Sequence, residues 1–513
     1  MQNIIRTGFH MSQQALWVRG AIFLTIAGFI SKVLGMIYRV PLQNMAGDEG
    51  LYIYQQIYPI LSVALLLSIY SIPSAISQIG SNRKSTASNH VPHEWMVFSI
   101  LFGLGVALFL GFYFFSDLFA QWMGDPNLNG SIQVAGAMFL LIPLSSTLRG
   151  VFQSVNLPQY IAISQIIEQF IRVVLIIVMT YWIIQYTNLS VYQIGSYAAW
   201  STIIGTMVAC IMLIGLYFWK RRTIKFHRFK LNRSLTQVLL IGVAIYSLIY
   251  MMHLVLQVVD VFTMVELLQQ FGFSFEEAKS MKGIFDRSHP IIQMGLVIGS
   301  SLALALIPTL GQNHLRMELA FKWTFLLSLG ASIGLIAIMP LMNPLLFKTN
   351  DGTAALQWMM LIVFLLSMII MLSVFLQQYN YRLQQLKWIL IMIGIKYILN
   401  LILIPKFGII GSSWAYIGAA AFLLCVFLWK WKVISEINAS ILFIIKSIFI
   451  LLVMWGVVTF TQSTLTDYVI EPSRLTLAIL TLILCILGVI IVGIGLFVLK
   501  LFNQQDLKEL KGN

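Results

Sequence analysis

Charge is what this 513-residue chain has least of: only 10% of its residues are Asp, Glu, Lys or Arg, where a soluble domain carries about 25%. So little ionised surface cannot keep a fold of this size in water, which excludes a soluble enzyme. Cysteine is scarcer still. Cys210, Cys425 and Cys485 all lie in apolar stretches without metal-ligand spacing, so no disulfide framework, zinc site or thiol redox chemistry is indicated. A Walker-type glycine loop is missing, and with it the signature of a nucleotide-driven pump. No cleavable signal peptide is expected, because Arg6, His10 and Gln13 keep the first residues polar and the first apolar run is of spanning length.

What is abundant is apolar side chain: 59% of residues are hydrophobic and the mean hydropathy is +0.88. A spanning helix needs about 20 mostly apolar residues. Apolar runs from 17–40 and 53–79 through to 441–461 and 474–501 supply about fourteen of them. The expected fold is an all-α integral membrane protein. Its Lys and Arg crowd the N-terminal tail, the loops after even-numbered helices and the C-terminal tail, whereas Asp48, Glu49, Asp125, Glu276, Glu277 and Asp351 collect on the other side. The positive-inside rule then places both termini in the cytoplasm. The net charge of +14 is topological, and nucleic acid is not an expected partner.

The cluster WKRRTIKFHRFKLNR at 219–233 divides the chain. Six helices over 1–218 form an expected N-lobe, 219–235 a basic cytoplasmic linker, six helices over 236–433 a C-lobe, and 434–513 two appended helices with a tail. The stretch 264–283 is too polar to span and reads as an amphipathic segment on the outer surface. Traces of a repeat link the lobes. Ile72, Pro73 and Ser74 end the second helix as Ile307, Pro308 and Thr309 end the eighth; Gln153 and Asn156 match Gln377 and Asn380 at an offset of 224; the same offset takes Arg172 to Lys396. Two pseudo-symmetric lobes related about an axis along the membrane normal are expected.

An ionised side chain at mid-bilayer costs about 2.5–3.5 kcal/mol even on a lenient scale, so each needs a partner, a watery cavity or a function. Lys32, Glu168, Arg172, Asp260, Arg287 and Lys396 are so placed. Glu168 and Arg172 stand four apart on one helix face, the spacing of an ion pair. Lys32 lies about 22 Å along the first helix and must look into protein or water. Arg39 follows on the same face, equally suited to interfacial anchoring. Beside them Gly28, Ser31 and Gly35 form a strip that permits close helix packing. Asp286 and Asp260 are candidate counter-ions for Arg287 and Lys396. Net of the acids the set is cationic, and a cavity between the lobes lined by it suits a phosphate or pyrophosphate, Arg by paired hydrogen bonds and Lys as a point charge. Substrate binding therefore falls to Lys32, Arg39, Arg172, Arg287 and Lys396, with Glu168, Asp260 and Asp286 as structural or coupling acids. Tyr52, Tyr54, Gln55, Gln56 and Tyr58 fit an interfacial belt. His253 reads as a satisfied interior histidine more readily than as a proton carrier.

RGAIFLTIAGFISKVLGMIYRVPL (19–42), RGVFQSVNLPQYIAISQIIEQFIRV (149–173) and IPSAIS (72–77) resemble the polysaccharide-transport branch of the multidrug/oligosaccharidyl-lipid/polysaccharide exporter superfamily, and within it the MurJ-type lipid II flippases. The resemblance spans the chain, the appended pair included. It implies a V-shaped, two-lobed transporter of the bacterial plasma membrane, not an enzyme and without cofactor, that carries an undecaprenyl-pyrophosphate-linked peptidoglycan precursor to the outer leaflet by alternating access. It also implies a monomer surrounded by membrane lipids, with cell-wall synthesis proteins as further partners. The family's first-helix pattern Ser-Arg-x-Leu-Gly-x-x-Arg falls on Ser31 to Tyr38, where Lys32 and Tyr38 replace the arginines and Arg39 follows about 100° round the helix. The family's Asp-Arg pair at the start of the eighth helix matches Asp286 and Arg287, whereas its second-helix arginine has no counterpart between 53 and 72. Some relatives bind sodium with a seventh-helix acid and an Asn/Asp pair on the eleventh. Here Asp260 is matched with Lys396 and Asn400, so a lysine can replace the metal and no sodium site is carried over.

Two other classes remain. A cation-coupled drug exporter of the same fold would use deep acids, which here are outnumbered. A membrane-embedded transferase would need a nucleophile and base or paired carboxylates converging on one site, and Glu168 and Asp260 belong to different lobes. A flippase for another lipid-linked polysaccharide is the nearer alternative.

Overall fold

The computed structural model describes residues 28–31, 33–81, 94–155, 157–220, 247, 251–297, 299, 314–379, 381–435, 441–467 and 473–502. Among these the regular structure is helical, with no strand, as expected where lipid offers no partner to an open backbone. The helices are α1 (Arg39–Leu66), α2 (Ile72–Ser81), α3 (Glu94–Phe114), α4 (Ser116–Trp122), α5 (Asn129–Ala137), α6 (Ile142–Ser154), α7 (Pro158–Tyr186), α8 (Gln193–Lys220), α9 (Met252–Phe271), α10 (Phe275–Asp286), α11 (His314–Phe347), α12 (Thr353–Gln378), α13 (Arg382–Ser435), α14 (Ile441–Asp467) and α15 (Arg474–Val498). A π-helical turn, Leu67–Ser71, joins α1 to α2. Lys32, Asn156, Asn380, Pro308 and nearly all of the basic stretch 219–235 lie outside the described residues.

Among the described residues, ten helical runs are long and apolar enough to cross a membrane, or eleven when the pair α3 and α4, bent by 67°, counts as one span. Two of the ten, 28–76 and 382–433, contain 49 and 52 residues. A straight helix of about 50 residues would be about 75 Å long, more than twice the hydrocarbon core. Each breaks at a glycine in the left-handed region, Gly47 (φ 71°) and Gly408 (φ 57°). A side chain would be strained at either point, so these glycines are where the chain redirects. Pro405, three residues before Gly408, also removes a helical hydrogen bond.

The polar stretch 264–283 divides, where one surface segment was expected. Met264, Val265, Leu267 and Leu268 are buried and prolong α9 to Phe271. Gly272 (φ 120°) ends that helix, and Ser274 opens α10 with a capping box closed by Glu277. Apolar burial decides the first half and cap chemistry the second.

The offset of 224 reappears in the helix ends. α6 stops at Ser154 and α12 at Gln378; α7 starts at Pro158 and α13 at Arg382. The capping residues agree as well, Val155 at φ −96°, ψ 13° and Tyr379 at φ −93°, ψ 16°. The Leu157 amide donates to the Phe152 carbonyl at 2.9 Å, and the Tyr381 amide to the Leu376 carbonyl at 3.1 Å. One turn has been built twice.

The chain forms two compact units. The first contains Met1–Tyr38, Ile57–Gln121 and Pro126–Met251; the second contains Arg39–Gln56, Trp122–Asp125 and Met252–Asn513. The division crosses α1 between Gln56 and Ile57. In the first unit α7 packs along α8 and α6 against α2; in the second α12 lies between α11 and α13, α9 packs on α13, and α14 and α15 pack on α11.

Candidate functional site

In the first unit the deepest charge is one the spacing argument passed over. Arg149 on α6 is fully buried and pairs with Glu168 on α7, Nη2 to Oε2 at 2.6 Å. Its Nε donates to Ser164 Oγ at 3.2 Å and its Nη1 to Ser68 Oγ at 2.7 Å. Ser68 lies in the π-turn and bonds Ser145 at 2.6 Å. Thr206 on α8 donates to the other Glu168 oxygen. This corrects the expected pairing: Glu168 binds Arg149, not Arg172. Spacing of four offers Arg172 only an exposed-helix geometry, whereas Arg149 reaches the carboxylate from a neighbouring helix and shares its hydroxyl shell.

Arg172 is left without an acid. It is 5% exposed, and among the described residues it makes no ion pair or hydrogen bond and its Nε has no partner. The guanidinium lies over the Tyr38 ring, 5.9 Å from its centroid. Gly35 faces it: a Cβ there would sit 3.5 Å from Arg172 Nη2 and 3.9 Å from Gln169 Oε1. The small-residue strip of the first helix therefore makes room for the arginine as well as for a helix. Gln169 Oε1 and Gln165 Oε1 are buried and unpartnered as well.

In the second unit the expected cations have partners. Arg287 grips Asp48 with two bonds, Nε to Oδ1 at 2.8 Å and Nη2 to Oδ2 at 2.6 Å, and adds Thr349 at 3.0 Å and Asn343 at 3.3 Å. Its counter-ion is therefore Asp48, not Asp286. Asp286 pairs with Lys282 at 2.7 Å, one turn back on α10. Gly283 lets α10 approach Asp48 closely enough for the Arg287 pair, because a Cβ there would run into the Asp48 carbonyl. Lys396 Nζ sits 2.8 Å from Asp260 Oδ1, donates to Asn400 Oδ1 at 2.9 Å, and lies 4.4 Å over the Tyr416 ring. Asn400 Nδ2 returns a bond to Asp260 at 2.8 Å. The ammonium thus occupies the carboxylate that a cation would otherwise seek.

Arg39 is fully buried, with its guanidinium 6.0 Å from the Tyr54 centroid, so it is no interfacial anchor. The expected aromatic belt is likewise interior: Tyr52, Tyr54, Gln55 and Gln56 are all buried, and Tyr52 donates to Asp125 at 3.1 Å. The structure thus keeps Arg172 apart from acids and places Arg287 and Lys396 on them. Arg149, Asp48, Lys282 and His289 were missed. Arg149 opens the motif at 149–173 inside an apolar run, which was the available signal. Asp48 read as a loop acid because Gly47 hid the helical continuity around it. A separate groove of about 580 Å³, lined by Ile336, Pro340, Gln357, Trp358, Trp455 and Thr459 among others, contains no charged side chain.

A family model described as polysaccharide biosynthesis protein matches residues 17–314. YabM, an uncharacterized membrane protein of Bacillus subtilis (strain 168), is 35% identical over 415 residues, covering 78% of this chain and 77% of its own. The chain belongs to the polysaccharide biosynthesis protein family. Another relative from the same bacterium, the lipid II flippase MurJ, is 26% identical over 216 residues, 40% of this chain and 39% of that one. A solved structure of MurJ in an inward closed conformation superposes with a TM-score of 0.67 at 16% identity, covering 93% of this chain and 99% of that one. This polysaccharide biosynthesis family member therefore has the exporter-superfamily fold that its motifs implied.

Proposed function

We propose that the protein is a flippase that moves a lipid-linked pyrophosphate saccharide, the peptidoglycan precursor lipid II, from the inner to the outer leaflet by alternating access. The observation that carries this reading is Arg172, a guanidinium buried in a spanning helix without a carboxylate. Such a charge persists in an apolar environment when it serves a ligand. The ligand it suits is an oxyanion, bound through paired hydrogen bonds. Lys32 and Arg39 are the further cations proposed for the head group. Arg287 and Lys396 join them only when released from Asp48 and Asp260. The polyprenyl tail stays in lipid, and an inside-negative potential drives the anionic head outward with about 2.3 kcal/mol per charge per 100 mV. The fold shared with MurJ supports a transporter rather than an enzyme.

A flippase for a different lipid-linked polysaccharide is the second reading. It is favoured by the higher identity and longer alignment to YabM than to the MurJ relative. Purified protein in liposomes should translocate lipid II, and Arg172→Ala should abolish this while Arg172→Lys retains part of it. Depleting the protein from cells and identifying the lipid-linked sugar stranded on the inner leaflet separates the two readings. Wild-type rates for Arg172→Ala would remove the oxyanion role.

A further inference from the structure

His253, expected to be a satisfied interior histidine, is not satisfied. It lies on α9 with His289 beside it, at the start of the helical stretch 288–297; the two rings meet edge to face with centroids 5.4 Å apart. All four ring nitrogens are shielded and, among the described residues, without a hydrogen-bond partner. A neutral imidazole has one donor and one acceptor to place, and a pair kept only for packing would be replaced by apolar rings without that penalty. The surroundings are polar on both sides. His289 Nε2 lies 3.3 Å from Asp286 Oδ1, while the other Asp286 oxygen takes Lys282. Tyr416 on α13 lies 6.2 Å from His253 and 6.3 Å from His289, ring to ring, and donates to the His253 carbonyl at 3.3 Å. Beyond that ring stands the Lys396–Asp260 pair. On α1, the fully buried Arg39 belongs to the same compact unit as the two histidines. His253 is half-buried as a residue although its ring nitrogens are shielded, and His289 is fully buried next to Asp286, so a proton reaches the pair only when the packing around it opens.

We propose that His253 and His289 together form a site for one coupling proton. Hydronium gives its proton to a ring nitrogen of His253, whose lone pair forms the new N–H bond and leaves water behind. The proton is then shared with His289, and the Asp286 carboxylate faces the resulting imidazolium. A second proton is excluded, because it would place two imidazolium ions in contact beside Arg39, Lys282 and Lys396. The site rests on the transporter reading only for its consequence, a transport rate that depends on pH.

The chain has seven histidines, few enough to resolve individually. Protein labelled with 15N-histidine in lipid nanodiscs, assigned with His253→Gln and His289→Gln, should show one of the two rings protonating between pH 5 and 8, and loss of either ring should move the other's midpoint by about 1 pH unit. In liposomes carrying lipid II, the double variant should lose the pH dependence of flipping that the wild type shows. Rings that stay neutral throughout, rings that titrate indifferently to each other, or a double variant with the wild-type pH profile would each overturn the proposal. Should a variant fail to fold, the wild-type titration decides, since a pair that holds one proton shows a single protonation step between pH 5 and 8 and independent rings show two. A wild type that moves no lipid II counts against the flippase reading instead, and leaves the titration as the judge of the site.

Discussion

Removing one member of the Arg149–Glu168 pair should damage the protein far more than removing both. In Arg149→Met the Glu168 carboxylate stays fully buried with only Thr206 as a donor. Breaking a buried pair in this way costs about 3–5 kcal/mol, and Glu168→Met should cost about the same by stranding the guanidinium. The double variant is different because the surrounding hydroxyls have other bonds. Ser68 keeps Ser145 at 2.6 Å, and Ser164 still donates to the Ile161 carbonyl at 2.7 Å. Only Thr206 loses its partner, a loss of about 1–2 kcal/mol. Thermal unfolding of the purified variants in one detergent would give the cycle, with the coupling taken as the departure from additivity. Single variants that cost less than about 1 kcal/mol, or a double variant that costs the sum of the two, would refute the view that this is a desolvated pair held by its own shell.

Gly283→Ala should destabilise the second unit by about 1–3 kcal/mol, since the new methyl meets the Asp48 backbone and not a flexible side chain; unfolding temperature is the readout. Asp48→Asn should strand Arg287 and destabilise by about 3–5 kcal/mol, and Asp48→Asn with Arg287→Gln should recover most of it in the same assay. Flipping should continue when sodium is replaced by choline at constant membrane potential, because the Lys396 ammonium already holds Asp260 at 2.8 Å; loss of transport would disprove this. The Glu277 carboxyl is held below the usual range, first by the Ser274 backbone amide and then by its hydroxyl. A depressed carboxyl stabilises above its unfolded value and fades as pH falls through the folded one. The hydrogen-exchange protection factors at the start of α10, which are corrected for the intrinsic rate, should therefore fall below about pH 4.5, and Glu277→Gln should remove that fall in protection.

The sequence disclosed the fold more fully than the site, for physical reasons. Apolar runs of spanning length are a bulk property that survives errors at single positions. The repeat was legible because Gln153, Gln377 and their neighbours keep a constant offset even where identity is low. Pairing was not legible. Glu168 has a base at the right helical interval, yet its partner comes from another helix because a buried carboxylate needs several donors at once, and Arg149, Ser164, Ser68 and Thr206 supply that shell together. Asp286 adjoins Arg287 in the chain but turns to Lys282, which lies on its own face of α10 at the spacing of four. The Lys396–Asp260 pair was readable because a lysine at a cation's place has only one nearby use.

If the protein is the proposed flippase, the distribution of neutralised charge predicts an order for substrate capture. Within the second unit an anion approaching Arg287 must displace a carboxylate held by two short bonds, and at Lys396 one held at 2.8 Å. Breaking either pair without a replacement costs about 3–5 kcal/mol, which a phosphate can offset only if it arrives with its own charge in hydrogen-bond reach. Arg172 asks for no such exchange, since it has no acid to release. On the flippase proposal, first contact would fall to Arg172, and Arg287 would be open to an anion only after its release from Asp48. Affinity and conformational stability then separate by residue. Loss of the Arg172 guanidinium should then weaken anion binding with little effect on this conformation, whereas loss of the Asp48 carboxylate should weaken this conformation and leave an extra cation for the anion to find; anion binding and unfolding temperature of Arg172→Ala and Asp48→Asn check this.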